Sequence, residues 1–365
     1  MKYFEDFIKK TFIILCLYMF TSCEQKEILI KGNITNLPDG TMYLCKENNL
    51  NKIDSVETKK GKFTFKHKLE NEPIYLALHH IDKNKKFRMI AFPTDAKYNN
   101  FDYNSSLFLS DSIISINGLL TDNTPVGMNT GGTIFVTTPK IIAGYQTNAM
   151  FHCDGDLFND NNKSTYNKVL SKIKEFPNSF HLLYQMNDNR NSFSAIQTQS
   201  LINSFKGEIV ESKTFKTLKD YNEKRFNKKE LNIPPLLNDK GEKTEILSTK
   251  YKKHLVIFWA SWCGPCRQEI PSLKKMYSKY KNNIEFVSIS TDTNNSLWQK
   301  ALEKEEMSWK QLVVNEKSNE YEPIEILFQL SNSIPYIALL DSDMKILKSH
   351  VGSMSETELE KFIKD

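Results

Sequence analysis

Two cysteines stand two residues apart in the stretch FWASWCGPCRQEIP, residues 258–271. An apolar run precedes them and a helix is expected to begin at them, so Cys263 would lie at the helix N-terminus. Free backbone N–H groups and the positive end of the helix dipole favour a thiolate at that position and lower the thiol pKa. Cys266 would face the same side one turn later, close enough to attack a mixed disulfide formed at Cys263. The pair could be a redox centre, half of a metal site or two packed thiols.

A metal site is the least supported of these three interpretations. A zinc site of the common kind needs four ligands, often supplied by two such cysteine pairs. The sequence contains no second CxxC, and the dipeptide His152-Cys153 is a weak candidate for the missing ligands. We therefore expect no metal ion and no other cofactor at the pair.

The N-terminus has the pattern of a secretory signal. Lysines at positions 2, 9 and 10 precede the apolar stretch TFIILCLYMF, which is too short to span a bilayer as a stable helix. The following FTSC ends at Cys23 and resembles the lipobox of bacterial lipoproteins, in which the chain is cut before a lipidated cysteine. Phe20 departs from that pattern, which usually has an aliphatic residue there. We expect a signal peptide at residues 1–22 and a lipid anchor on Cys23. The alternative is a plain secretory signal with a chance cysteine.

Export would place the remaining cysteines in an oxidising compartment, where disulfides persist. Of the six cysteines, Cys16 would leave with the signal and Cys23 would carry lipid. Cys45 and Cys153 could pair with each other, but their separation in sequence says nothing about their distance in space. We favour two buried thiols that pack as small hydrophobic side chains.

The composition is that of an ordinary globular protein with room for two or three domains: 365 residues, 39% hydrophobic and 25% charged. The formal charge of +5 is spread through a sequence rich in lysine and asparagine. There is no block of like charge and no basic stripe interleaved with aromatic residues, so nucleic acid is not an expected partner. We interpret the lysines as mostly solvated surface residues.

Three regions follow the signal. The first contains alternating segments such as EILIKGNI and KFTFKHK, separated by turns, and its stretch 121–138 is the most loop-like part, with no clear strand pattern. The second has apolar residues at helical spacing from Tyr166 onward. In the third, strands alternate with helices, and the apolar run HLVIFW predicts a buried central strand. We expect a β-rich domain at 24–153, a helical region at 154–228 and an α/β domain at 229–365.

The third region carries a set of recognisable motifs: Trp259, Ala260, Trp262, CGPC at 263–266, an extra helix and short strand between residues 294 and 314, and SIPYIALLDSDMKIL with Ile334-Pro335. With these motifs, residues 234–365 resemble a thioredoxin-fold domain and, more narrowly, the membrane-tethered TlpA/ResA-like thiol-disulfide oxidoreductases. The first region resembles, more weakly, a β domain of unknown function that often precedes such domains in bacterial lipoproteins. The implied fold is an α/β thioredoxin-like C-terminal domain, preceded by an all-β domain and a helical connecting region.

The chemistry of the motif assigns roles to its residues. Cys263 is the expected nucleophile and Cys266 the resolving thiol. Gly264 would let another chain approach the sulfur closely, and Pro265 would stiffen the first helical turn without losing a needed donor. Trp262 would cover one side of the nucleophile, with ordinary core packing as the alternative.

Further roles are implied by the resemblance alone. It implies a cis Pro335 facing the disulfide, with the backbone of Ile334 docking the substrate strand; the alternative is a trans proline at a strand start. It also implies that Glu269 acts on the protons of the cysteine pair, whereas the alternative is a solvated helix residue. Thioredoxin has a buried aspartate where this chain has Ile257, so Glu269 is the nearby acid that we expect to deprotonate Cys266.

These features predict an enzyme, a thiol-disulfide oxidoreductase of the cell envelope that faces the periplasm as a lipoprotein, with the outer membrane as the expected place of its anchor. Its expected partners are disulfide-containing envelope proteins and a membrane electron donor. The alternative is a ligand- or partner-binding lipoprotein with a redox-inert thioredoxin-like scaffold. The intact CGPC favours the enzyme, because a scaffold has no need of both thiols. The Gly-Pro between the cysteines resembles that of thioredoxin, and this resemblance implies a reducing potential of about −270 mV rather than roughly −120 mV, while the direction of electron flow stays open.

Overall fold

The computed structural model of the chain describes residues 27–47, 51–68, 70–127, 129–138, 140–159, 163–228, 231–331 and 333–364. The predicted signal peptide and Cys23 lie outside these ranges. The described residues divide into two compact units. The first is drawn from Met1–Asn159, Asn167–Tyr184 and Ser204–Ser212, and the second from Asp160–Tyr166, Gln185–Asn203 and Lys213–Asp365.

The first unit is a β sandwich. One sheet has the strand order β12-β9-β1-β4, and the other has the order β10-β11-β6-β5-β2-β3, with β7 on β6 and β8 on β5. The strands are β1 Glu27–Ile34, β2 Gly40–Lys46, β3 Lys52–Thr58, β4 Lys62–Lys68, β5 Tyr75–Asp82, β6 Phe87–Tyr98, β7 Phe101–Ser105, β8 Phe108–Leu109, β9 Ile113–Gly118, β10 Thr121–Asp122, β11 Ile134–Thr137 and β12 Lys140–Ile142.

Alternation of apolar and polar residues explains why these segments form two packed sheets. Phe63 and Phe65 point inward from β4, and the intervening residues are exposed. The inner faces of both sheets contribute to one continuous apolar core, as expected for a sandwich. The all-β prediction for this region is confirmed, and residues 121–138 contribute the short strands β10 and β11.

The region predicted to be helical is divided between the two units. Helix α1 (Tyr145–Phe151) belongs to the first unit and lies within residues 24–153, which the sequence pattern assigns to the β-rich domain. Its backbone N–H groups at Gln146 and Thr147 each donate to the Asp111 carboxylate at 3.0 Å. Helices α2 (Lys163–Glu175) and α3 (Phe180–Asp188) contribute residues to both units.

The second unit is an α/β fold built on a sheet of order β14-β13-β17-β16-β15-β18-β19. Strand β15 pairs with β16 in parallel and with β18 antiparallel. The strands are β13 Leu236–Asn238, β14 Lys243–Thr244, β15 Lys253–Trp259, β16 Ile284–Ser290, β17 Lys310–Val313, β18 Tyr336–Asp341 and β19 Ile346–Val351. The helices are α4 Ala195–Ile202, α5 Lys213–Phe226, α6 Gly264–Tyr280, α7 Asn295–Glu305, α8 Tyr321–Phe328 and α9 Glu356–Lys364.

Strand β15 is the buried central strand that its sequence predicts. Val256 and Phe258 lie in the apolar cluster on one side of the sheet, and Leu255 and Ile257 lie in the cluster on the other side. Because the strand is buried on both faces, its residues from Leu255 to Trp259 are all apolar rather than apolar at alternate positions. Its carboxyl end delivers the chain to the cysteine pair. No helix among the described residues combines the length and apolar character needed to cross a bilayer.

Candidate active site

The two cysteines of the motif form a disulfide at the start of helix α6. Cys263 is the N-cap residue, with extended backbone angles, and Pro265 stands in the first turn. The backbone N–H of Cys266 donates to Cys263 Sγ at 3.2 Å, so a donor that a helix start leaves without an intrahelical partner points at this sulfur. A negative charge on Cys263 Sγ would be stabilised by that N–H and by the helix dipole.

The loop between β15 and α6 is held by Asp292, which lies two residues after the end of β16. Its carboxylate accepts hydrogen bonds from the backbone N–H of Ser261 at 2.8 Å and from the Ser261 hydroxyl at 2.6 Å. The Ser290 hydroxyl donates to the same carboxylate at 2.6 Å, and Asp292 is buried. Asp292 therefore fixes the approach of the chain to Cys263, and sequence analysis did not single it out.

A second loop lies against the disulfide. The Ile334–Pro335 peptide bond is cis, the isomer that the resemblance implies. The carbonyl oxygen of Ile334 lies 3.8 Å from Cys263 Sγ. Ile334 lies two residues before the start of β18, and the structure brings this predicted docking residue next to the predicted nucleophile, 71 residues away in the chain.

Trp262 and Gly264 flank the nucleophile on the solvent side. The Trp262 side chain is 66% exposed, which excludes core packing as its role. A Cβ added to Gly264 would meet no atom within 4 Å, so the space in front of this residue is open. Both observations leave room for another chain beside Cys263.

Glu269 is buried on the same helix, with only 3% of its surface exposed, so it is not a solvated residue. Its Oε1 accepts a hydrogen bond from the backbone N–H of Met354 at 2.7 Å, whereas its Oε2 is buried and has no partner among the described residues. Burial raises the pKa of this carboxyl, and the Met354 hydrogen bond acts in the opposite direction. Glu269 lies three residues after Cys266, so the two side chains are on one face of α6.

A short segment after β19 supports both Glu269 and the cis-proline loop. The N–H of Gly352 donates to the carbonyl of Pro335 at 2.8 Å, and two residues later Met354 donates to Glu269. Gly352 has a φ of 94°, a backbone angle that favours glycine. One turn of backbone thus positions two of the predicted site residues.

A cavity of about 360 Å³ opens beside Trp262, Thr291 and Ile334. Its wall includes Arg190, whose Nε donates a hydrogen bond to Glu325 Oε1 at 2.8 Å. The Nη2 of the same guanidinium donates to Glu325 Oε2. The Arg190 guanidinium also stacks 4.0 Å from the centre of the Tyr221 ring. Sequence analysis missed Arg190, Glu325 and Tyr221. Nothing in a polar stretch such as NDNRNS distinguishes Arg190 from a solvated residue.

The comparisons with known proteins agree with this geometry. A family model for Redoxin matches residues 214–363, and a model for a domain of unknown function, DUF4369, matches residues 28–137.

The thioredoxin-like protein YneN of Bacillus subtilis is 29% identical over 124 residues, which are 33% of this chain and 68% of that protein. The thiol-disulfide oxidoreductase ResA of Bacillus thuringiensis is 26% identical over 125 residues, 34% of this chain and 69% of that protein. The C-terminal part of this chain is a TlpA/ResA-like thiol-disulfide oxidoreductase. Among solved structures, a thiol-disulfide oxidoreductase from Bacteroides fragilis aligns with 27% identity and a TM-score of 0.31, over 37% of this chain and 97% of that one.

The Redoxin match includes helix α5, which lies before the predicted start of the α/β domain. The match starts at residue 214, and the predicted domain starts at residue 229. Arg225 of α5 is buried, and its guanidinium donates to the backbone carbonyls of Arg190 and Phe193. Helix α5 therefore fixes the segment that carries Arg190.

Among the described residues, the two cysteines outside the motif, Cys45 and Cys153, are free and buried. Cys45 Sγ lies 3.5 Å from His79 Nδ1, and Cys153 Sγ donates to the carbonyl of Ala149 at 3.2 Å. Burial raises the pKa of both thiols, that of Cys153 to about 12. The interpretation of two packed thiols is confirmed, and the pairing of these cysteines is not observed.

Proposed function

We propose that this oxidoreductase is an envelope protein, anchored to a membrane, that reduces or exchanges disulfides of other exported proteins through Cys263 and Cys266. The observation that carries the proposal is the Cys263–Cys266 disulfide at the start of α6, next to the Ile334 carbonyl and an open surface beside Trp262. In such a site, the Ile334 backbone and the open surface can bind an extended substrate chain, and the cysteine pair can exchange with a disulfide of that chain.

The reaction begins from the reduced pair. The Cys263 thiolate attacks one sulfur of a substrate disulfide, forms a mixed disulfide and releases the other substrate sulfur as a thiolate. Cys266 then loses its proton and attacks Cys263 Sγ, which releases the second substrate sulfur and closes the Cys263–Cys266 disulfide. Two electrons pass to the substrate, and a membrane electron donor would return two electrons to the pair.

Glu269 is the proposed acceptor of the Cys266 proton. Its Oε2 is buried without a hydrogen-bond partner among the described residues, and burial raises its pKa toward that of a thiol. Ile257 offers no carboxylate on the neighbouring strand. The Met354 N–H holds the other oxygen, so the carboxyl stays in one orientation while it takes the proton.

Substrate docking is proposed at the cis-proline loop. The backbone of Ile334 would pair with an extended substrate segment, the exposed Trp262 ring would cover it, and the open space at Gly264 would admit its backbone. The cavity that includes Arg190 lies beside this path and would receive a side chain next to the substrate cysteine.

Membrane attachment is proposed through a lipid on Cys23. Only three residues separate Cys23 from Glu27, where β1 begins, so the lipid would hold the β domain close to the membrane. We place the anchor in the outer membrane, and separation of inner and outer membranes tests that placement.

Trapping of substrates tests the enzyme against the redox-inert binding protein. Cys266→Ala should accumulate mixed disulfides between Cys263 and other envelope proteins, because the resolving thiol is missing. The control is the double variant Cys263→Ala with Cys266→Ala, which should accumulate none. Equal recovery from both variants, or no adduct with the single variant under oxidising conditions, would favour the inert scaffold.

A further inference from the structure

The outer face of the sheet β12-β9-β1-β4 gathers lysines from three strands. Each strand of this sheet turns alternate residues into the core, and the remaining residues face solvent. We name this surface the lysine face. Its lysines are Lys31 on β1, Lys62, Lys66 and Lys68 on β4, and Lys140 on β12.

Strand register makes these lysines neighbours. Lys31 lies opposite Thr64, between Lys62 and Lys66 on β4, and Asn117 of β9 lies opposite Lys140. Paired strands are about 4.8 Å apart and alternate residues about 6.6 Å apart, so the five charges share a patch on the order of 20 Å across. Within the described part of the chain, none of the five forms an ion pair, and Glu27 is the acidic residue of this face.

Aliphatic side chains lie among the lysines. Leu29 is opposite Lys66 and pairs on its other side with Ile113, which is exposed, and Ile142 is exposed on β12. The described residues of this face include no aromatic side chain. Base stacking on aromatic rings is a main source of single-strand nucleic-acid binding, so this surface lacks the means for it.

We propose that the lysine face docks onto an anionic phospholipid surface. Lysines would contact the phosphate groups, and Leu29, Ile113 and Ile142 would reach the boundary between headgroups and acyl chains. Charge alone would suit any polyanion, but cations interleaved with exposed aliphatic residues match a surface that is anionic outside and apolar beneath.

The position of the anchor supports this occupant, and here the inference builds on the lipidation proposed above. The chain from Cys23 to Glu27 is four residues long and spans at most about 14 Å when extended. A lipid on Cys23 would therefore hold the start of β1, which belongs to the lysine face, within about 14 Å of the membrane surface, a distance of less than two Debye lengths at physiological salt. A lipid chain together with a basic patch binds membranes more firmly than either alone.

Vesicle binding of the lipid-free protein tests the inference. The chain without its predicted signal peptide, residues 23–365 with Cys23→Ser, should sediment with phosphatidylcholine vesicles that contain phosphatidylglycerol, weakly with pure phosphatidylcholine, and less as salt rises. Adding Lys31→Gln and Lys66→Gln should weaken partitioning about 30-fold. The matched control is Lys300→Gln with Lys361→Gln, at exposed helix positions of the second unit. It removes the same charge and should change partitioning onto the vesicles by less than about twofold.

Three results would overturn the inference. The first is equal binding to anionic and neutral vesicles. The second is a loss of binding in the control pair as large as that in the variant with Lys31→Gln and Lys66→Gln. The third is binding to a soluble anionic polysaccharide that exceeds vesicle binding and is unchanged by Ile113→Ser. The last result would assign the face to a polysaccharide. Disulfide exchange measured on the same variants should match the parent, so a failure here is distinct from a failure of the proposed redox function.

Discussion

Replacement of Glu269 by glutamine separates a proton acceptor from a structural carboxyl. Glutamine keeps an oxygen that can accept the Met354 N–H and removes the charge and the basicity. General-base catalysis contributes about 10²- to 10⁴-fold, and solvent can take part of this role, so we expect a loss of about 10-fold or more in disulfide exchange. A tenfold loss corresponds to about 1.4 kcal/mol in the activation free energy.

The same substitution, which should slow disulfide exchange, should increase the stability of the folded protein at high pH. Burial raises the folded-state pKa of Glu269, so the stability contributed by its protonated form is full below the unfolded-state pKa and is lost as pH rises through the folded-state pKa. Above that pH, the native protein holds a buried carboxylate that the variant does not have. The free energy of unfolding of Glu269→Gln, relative to the parent, should therefore increase with pH.

The assay combines stopped-flow exchange of the reduced domain with a disulfide peptide and urea unfolding, both as a function of pH. Glu303→Gln makes the same chemical change at an exposed position of α7 and should alter neither measurement. Exchange rates equal to the parent at every pH would refute the role of Glu269. A slow variant that is also less stable at high pH would show that the loss comes from damage to the fold.

Four further outcomes are expected. After reduction, Cys263 should react with an alkylating agent at mildly acidic pH before Cys266 does, and the reverse order by mass spectrometry would invert their roles. After a high-salt wash, which screens the lysine face, Cys23→Ser should move the protein from the membrane to the soluble fraction with its purified activity intact, and an unchanged membrane fraction after that wash would exclude the lipid anchor. Gly352→Ala should lower the free energy of unfolding by about 1–3 kcal/mol, because alanine is strained at this positive φ, with slower exchange; equal urea midpoints would contradict this. Arg190→Met should destabilise the second unit by about 3–5 kcal/mol, since its glutamate partner would be left buried and unpaired, and an unchanged thermal midpoint would show that the ion pair contributes little.

Local patterns carried much of the prediction. The spacing of the cysteines, the apolar run before them and the proline between them depend on neighbours within a few residues, and the structure places each as the sequence indicates. The alternation in β1 and β4 likewise shows which residues face inward, because successive side chains of a strand point to opposite sides.

Buried ionic contacts could not be predicted in this way. Arg190 and Glu325 are 135 residues apart, and Glu269 and Met354 are 85 residues apart. Nothing in either local sequence marks the partner. In the sequence, only a resemblance indicates Glu269. Its burial, which raises its pKa, depends on the distant segment after β19 that contacts it.

The sequence by itself determined the chemistry of the cysteine pair, the α/β character of the domain that carries it and the all-β character of the region before it, because each depends on short-range spacing. The tertiary structure decided what stands around them: Asp292 beneath the loop, Arg190 beside the cavity and the lysines that strand register brings together. In the sequence these lysines are dispersed and resemble ordinary solvated residues. Periodicity specifies the face on which a residue lies, but only the pairing of distant strands specifies its neighbours.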